Sequence, residues 1–465
     1  MRARKMRSHP DIEPQRIELL SREDAPRRGA YVLYWMQAAQ REHHNPALEL
    51  GIRMANDLDQ PLLVGFGLTD GFPEANLRHY RFMIQGLADV RRALAKRGIK
   101  LVVLQDPPDE VALRLGRNAS RIVTDRGHTR VQRQWRNRVA EEANRPVIQV
   151  ETNLIVPVDA ASDKREYAAR TLRGKVQKHL ARFLHPLEVT EPRKQSLPLH
   201  VTGVDVDDPD AACAGLKLDR SVPPVDRFPG GQTEALRVFD AFLDRRLAGY
   251  AAHRNQPQTD DVSCMGMYLH FGQVSPVWLA LELRKIRGLE DSRDAFMEEL
   301  LVRRELAHNY THFEPDYDRY EALPGWARTT LREHAKDRRE PLYSPGRLEE
   351  AETHDPYWNA AMQEMRFTGY MHNYMRMYWG KKILEWSDSP ENAFSTALAL
   401  NNKYFIDGRD PNSYAGVAWV FGLHDRPWAE RPIFGKIRTM TASGLERKCD
   451  PEAYVRKVER LVKGG

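Results

Sequence analysis

Cysteine is scarce: Cys213, Cys264 and Cys449 are the only three in 465 residues. An odd number at wide spacing excludes a disulfide framework and a thiolate metal cluster. No apolar run approaches the roughly 20 residues of a membrane helix. The basic start Met1-Arg2-Ala3-Arg4-Lys5 has no apolar segment after it, so no secretory signal is expected and the cytoplasm is the default compartment. Charge of one sign is also missing, with 71 Lys and Arg against 65 Asp and Glu. The net charge of +6 leaves polyanion binding to a local patch and not to the whole surface. No metal set stands out. His308 and His312 are spaced for one helix face but lack the glutamate of a zinc-hydrolase motif, and His43-His44 reads as ordinary surface or core. Internal repeats and low-complexity tracts are absent. What is present is a globular composition, 41% apolar and 29% charged, long enough for two or three domains.

Residues 1–29 are charged and proline-punctuated and read as a flexible arm. Short apolar runs at 31–35, 62–66, 100–104, 121–124 and 147–150 then alternate with helical patterns over 45–58, 77–97 and 131–143. Such alternation predicts a parallel sheet with helices on both faces, an α/β domain over 30–186. Gly65 and Gly67 invite a dinucleotide reading, but Asp70 stands where the third glycine belongs and the helix begins too late. A helix over 164–183 precedes a stretch rich in Pro and Asp, 187–230, that reads as an interdomain linker. From 231 to 465 the patterns are helical, over 233–247, 276–287, 293–310, 358–367, 370–386 and 391–401. The expected fold class is α/β plus all-α.

The helical half carries the distinctive chemistry. At helical spacing Asn373, Arg376, Met377 and Gly380 share one face, with Met371, Met375, Tyr378 and Trp379 toward another. Burying an amide and a guanidinium between apolar flanks is costly without a partner, so a flat, polar, anionic ligand is expected there. The run Met371-His372-Asn373-x-x-Arg376-Met377, followed by Asp407-Gly408-Arg409-Asp410-Pro411-Asn412-x-Tyr414-Ala415-Gly416-x-Ala418-Trp419, resembles the flavin-binding core of the class II cyclobutane pyrimidine dimer photolyases of the photolyase/cryptochrome family. The spacing of Trp358, Trp379 and Trp386 is similar as well. The resemblance covers most of residues 30–460 and is strongest from 354 to 440. It implies a Rossmann-like antenna domain followed by a helical FAD-binding domain. It also implies DNA repair driven by blue or near-ultraviolet light, in which FADH⁻ lends an electron to a pyrimidine dimer and the cyclobutane ring opens. The implied partner is damaged DNA and the implied state a monomer. The antenna chromophore (deazaflavin, folate or flavin) is left open, although Tyr34–Arg41 resembles the family's opening motif.

The resemblance also assigns residues. Tyr250 and Ser263-Cys264-Met265-Gly266-Met267 match the FAD-phosphate segment, where small residues let backbone N–H groups approach an anion. Arg376 and Asp407 match the pair beside the flavin ring, and Asn373, Arg304 and Asp410 complete the cofactor shell. Asn401 matches the asparagine that faces flavin N5, where an amide oxygen accepts the N5 hydrogen; Asn402 is the adjacent alternative. Trp379, then Trp358, then Trp386 match an aromatic relay to oxidised flavin. Glu299, with Glu298 as its alternative, joins Met377 and Trp419 around the dimer, while Arg303 stands where some relatives carry a tryptophan. Arg254, Arg426 and Arg438 match DNA contacts, and arginine suits bidentate phosphate binding. A cryptochrome-like photoreceptor and a (6-4) photoproduct photolyase are the alternative readings.

Overall fold

The computed structural model describes residues 11–21 and 26–463. Six strands form one sheet in the order β1-β6-β5-β2-β3-β4. They are β1 (Ile17–Leu19), β2 (Tyr31–Trp35), β3 (Leu62–Gly67), β4 (Lys100–Leu104), β5 (Ala119–Asp125) and β6 (Val147–Val150). β2 to β6 pair in parallel, and every residue of β2, β3 and β6 is buried. Helices cover both faces, as continuous apolar strands require. One core cluster contains Val32, Tyr34 and Val64, and the opposite one Leu33, Trp35 and Leu63. Strand order reverses between β2 and β5, which opens a crevice at their C-terminal ends.

Two expectations are corrected. The flexible arm holds an edge strand: β1 pairs antiparallel with β6, Ile17 facing Val150. Arg16 is buried there, donating to the carbonyls of Leu154 and Ile155. Residues 1–10 and 22–25 of that arm lie outside the described residues. The stretch 187–230 is likewise more than a linker. Val204 N–H donates to Val103 O on the outer strand β4, and Val206, Cys213 and Leu216 enter the sheet's core cluster. It covers an edge that would otherwise be open to pairing.

The helical half contains five of the six helices read from the sequence, with shifted ends: Gln232–Arg245, Pro276–Lys285, Pro356–Thr368, Asn373–Trp386 and Pro390–Tyr404. Asp355 caps Pro356–Thr368 through the N–H groups of Tyr357 and Trp358. The helix expected over 293–310 is split into Glu290–Met297, a π-helical turn Glu298–Arg303, and Arg304–Phe313. Buried charges bonded to backbone tie the two halves together. Arg41 donates to Thr152 O and Gly272 O, and Arg78 donates to Met365 O, Arg366 O and Tyr404 O. Glu305 accepts from Ile155 N and Val156 N.

Candidate functional site

Helix Asn373–Trp386 is the spine of the site. Gly380 permits close packing on helix Pro411–Val420, since a Cβ there would lie 2.6 Å from Val420 Cγ2. Arg376 projects from its first turns and donates through Nη2 to Asp407 Oδ1 and Oδ2 at 3.0 and 3.1 Å. The guanidinium lies 3.8 Å from the centroid of the Phe405 ring. Gly266 faces the same carboxylate, and a Cβ at that position would stand 2.7 Å from Asp407 Oδ2. The turn before it is held by Ser263 Oγ, which accepts from Met265 N, and Cys264 takes a left-handed φ of 56°. Asn373 is exposed at the helix start.

The two neighbouring asparagines have different roles. Asn402 Oδ1 accepts from Arg409 N, which fixes its amide orientation, and its Nδ2 donates to Glu74. Asn402 Oδ1 also receives Asn401 Nδ2 at 3.0 Å. Asn401 Oδ1 is thereby turned away and takes no hydrogen bond among the described residues. Asn402 is structural, and Asn401 keeps the free acceptor.

The three interior tryptophans form a row. Trp379 lies 6.4 Å from Phe405, Trp358 Nε1 donates to Trp379 O at 2.9 Å, and the Trp358 and Trp386 rings are 5.7 Å apart. All three are buried, and Trp379 Nε1 has no hydrogen-bond partner among the described residues. At the far end Trp386 packs on Tyr343 and on the exposed His354.

A second cluster opens toward solvent. Glu299 accepts from Arg254 at 2.5 Å. Burial pushes the Tyr250 phenol up to about 12, with Glu299 adding to the shift. Glu298 turns the other way, to Arg173 and Arg303; burial opposes its ionisation, but these arginines hold it below the usual carboxylate range. Arg303 lies 5.3 Å from the Trp419 ring, which also meets His424 at 5.6 Å. Met377 is half-buried. Beyond this cluster Arg426 and Arg438 both lie over Trp428, at 5.4 and 5.3 Å. Sequence reasoning missed Trp428, although an aromatic beside basic residues is a stacking signature.

Arg304 and Asp410 stand apart from the Arg376–Asp407 pair, in a small interdomain cavity with His128, His270 and His308. Arg304 donates to Asn153 O, and Asp410 pairs with His270 at 3.2 Å. Burial opposes the charge of Asp410, but His270 outweighs it and holds the carboxyl well below its ordinary range. Among the described residues no group of three or more His, Cys, Asp or Glu is arranged to hold a metal, and no helix is long and apolar enough to cross a membrane. A further cleft lies at the C-terminal ends of β2 and β3, walled by Met36, Phe66, Phe72, Trp135 and Phe271.

Residues 32–193 match the DNA photolyase family. A deoxyribodipyrimidine photo-lyase of Methanothermobacter thermautotrophicus is 49% identical, over 97% of this chain and 99% of its own length. Those of Arabidopsis thaliana and Potorous tridactylus are 38% and 39% identical, each over 98% of this chain and over 95% and 88% of their own. Among solved structures, a class III photolyase from Agrobacterium tumefaciens aligns with a TM-score of 0.70, over 96% of this chain and 91% of that one, at 19% identity. An archaeal photolyase from Sulfolobus tokodaii with two FAD molecules aligns equally well, over 92% and 89%, at 16% identity. At such identities the likeness establishes the fold.

Proposed function

The chain belongs to the DNA photolyase family, and on that premise we propose that it is a class II enzyme working with reduced FAD. It is an enzyme whose reaction is the light-driven repair of cyclobutane pyrimidine dimers in DNA, as the names of its near-full-length relatives indicate. Those names do not favour a photoreceptor or a (6-4) enzyme. The single observation behind the class II reading is the free Oδ1 of Asn401, set by Asn402 and near the segment that carries Asp407.

The residues present fit a flavin. Any side chain larger than glycine at 266 would collide with Asp407, and a Cβ at Gly416 would meet nothing within 4 Å. The buried Trp379 Nε1 lacks a partner among the described residues. Reduced FAD, when bound, supplies the light-excited electron that opens the cyclobutane ring. Arg376 and Asp407, paired with each other and half-buried, would hold the ring's polar edge. Asn401 Oδ1 accepts an N–H and so favours the reduced, protonated ring. Tyr250 and the Ser263–Met267 turn flank the cofactor's phosphate side. Trp379, Trp358 and Trp386 carry electrons inward. On this reading Arg254 exchanges Glu299 for a DNA phosphate, and the released carboxylate, on taking up a proton from water, donates to a base carbonyl that gains charge. Met377 and Trp419 line the dimer, which must leave the duplex to reach them. Arg426 and Arg438 hold the backbone. The cleft at the C-terminal ends of β2 and β3 would seat an antenna chromophore, where one is carried.

Asn401→Ala tests the assignment. With the flavin chemically reduced, its reoxidation in air is expected to accelerate by roughly tenfold or more, about 1.4 kcal/mol of lost preference. An unchanged reoxidation rate in a variant that retains flavin removes Asn401 from the N5 role.

A further inference from the structure

The turn that brings Gly266 to Asp407 has a second side. Cys264, two residues earlier, lines a surface pocket together with Arg227, Phe228, Arg246, Tyr370 and His372. The other walls come from helices Gln232–Arg245, Pro356–Thr368 and Pro451–Lys463. Phe228 and Tyr370 supply aromatic surface, with their rings 5.8 Å apart.

Four cations and three carboxyl groups share this lining, and their pairing is incomplete. Glu234 takes both prongs of Arg237 at 2.7 and 2.5 Å, and Asp260 takes Lys457 at 2.7 Å. The third acid, Glu364, is buried and accepts from the Tyr454 hydroxyl and from His372 N. Burial pushes its carboxyl up, toward the uncharged form. Arg227 and Arg246 are left. Among the described residues neither has a carboxylate within 4 Å: Arg246 donates to Val238 O at 3.3 Å, and Arg227 lies over the Phe228 ring.

His372 adds a donor of its own. It is 1% exposed, and its Nδ1 accepts from Tyr374 N at 3.2 Å, capping helix Asn373–Trp386. Nε2 therefore carries the hydrogen, and it has no partner among the described residues. Burial holds the imidazolium down at about 4, so in neutral solution the ring is uncharged and offers that one hydrogen. Buried N–H groups are almost always satisfied, so two unpaired guanidinium groups and an orphaned N–H on one pocket point to an acceptor that the protein does not supply. The forked donors of arginine match the oxygens of a phosphate group.

We propose that this pocket binds a small ligand through a phosphate group, held by Arg227, Arg246 and the Nε2 hydrogen of His372. The group has two sources with the same chemistry toward arginine: free inorganic phosphate, or the phosphate ester of an organic molecule whose ring packs on Phe228 and Tyr370.

The test titrates the FAD-saturated holoenzyme, in a chloride buffer, with inorganic phosphate, adenosine 5′-monophosphate and adenosine, followed by calorimetry. At least one phosphate-bearing probe is expected to bind roughly tenfold or more tightly than adenosine, a gap of about 1.4 kcal/mol. A monophosphate that binds more tightly than inorganic phosphate identifies the ester, and equal affinities identify the free ion. Arg246→Gln is expected to weaken the preferred probe by roughly tenfold, and the double variant with Arg227→Gln to abolish its binding. His372→Asn, which keeps a capping acceptor but loses the Nε2 donor, is expected to weaken it as well. Flavin content and repair by the pre-reduced enzyme are expected to hold in Arg246→Gln. Ala241→Trp, which fills the pocket without changing its charge, is expected to abolish binding and serves if Arg246→Gln does not fold. Adenosine binding as tightly as both phosphates overturns the inference, as does failure of both phosphates to bind or a margin that survives the double variant or Ala241→Trp. Loss of flavin from folded Arg246→Gln assigns the guanidinium to the cofactor's own phosphates and overturns it too. A fall in the salt slope of DNA binding does the same by placing Arg246 in the DNA footprint.

Discussion

Trp358, Trp379 and Trp386 are sealed inside the helical half, whereas Trp419 and Trp428 stand at its rim beside guanidinium groups. Trp428 is 41% exposed between Arg426 and Arg438, and Trp419 carries Arg303. A cation near an indole makes an electron harder to remove, and the penalty grows where water is excluded. It also makes the ring a firmer platform beside phosphates and bases. The rim tryptophans are thus built for stacking. In the interior no cation lies over Trp358 or Trp379 among the described residues, and only Trp386, at the far end, has a lysine, Lys382 at 5.4 Å. The same residue type serves conduction in one place and recognition in the other, and the neighbouring charges make the difference.

The comparison breaks most visibly at Trp379. Trp379→Phe is expected to slow photoreduction of oxidised flavin by roughly 100-fold, about 2.7 kcal/mol of barrier, read by flash absorption. Repair by pre-reduced enzyme is expected to stay nearly intact; if it collapses as well, the residue belongs to the repair path or to packing. At the rim, Glu299→Leu is expected to lower repair by roughly 10- to 100-fold while flavin content holds. Glu298→Gln, whose partners are Arg173 and Arg303, is expected to change repair little, and a reversal of the two would exchange their roles. Arg438→Ala is expected to reduce the salt slope of DNA binding by about one unit, as loss of one phosphate contact does. An unchanged slope takes it out of the footprint.

The smallest effect concerns the tie between the two regions. Lys381 is buried on the interior helix and its Nζ donates to Val420 O, next to Trp419. Burial pulls its ammonium down to about 7 from an ordinary value near 10.5. Between those values the unfolded chain holds more protons than the folded one, so stability rises with pH across that window and the cost is full below it. Lys381→Met is expected to raise stability by about 1 kcal/mol or more below pH 7, with the gain fading by pH 10. Melting curves across that range check it, and a gain independent of pH contradicts it.

Much of this was legible in the chain. The five parallel strands and most of the helices follow from apolar runs and periodicity, since their signals are local. β1 was not, because Ile17–Leu19 is a strand only by pairing with β6, more than a hundred residues away. The same holds for 187–230, whose order comes from contact with β4. At the site, the Arg376–Asp407 pairing was implied by the family resemblance, but the choice between Asn401 and Asn402 depended on one backbone N–H, that of Arg409. Nor does residue type reveal that Arg409 faces a cleft without a carboxylate. Its neighbours Asp407 and Asp410 suggest a paired arginine, and the fold sends both carboxylates to other partners.

The most direct measurement of the central claim is repair itself. The purified protein, with its flavin reduced, is illuminated with DNA carrying cyclobutane dimers and, separately, with DNA carrying (6-4) photoproducts, beside dark controls. The account predicts light-dependent loss of cyclobutane dimers and no change in the other lesion. Bound flavin without dimer loss under light contradicts it.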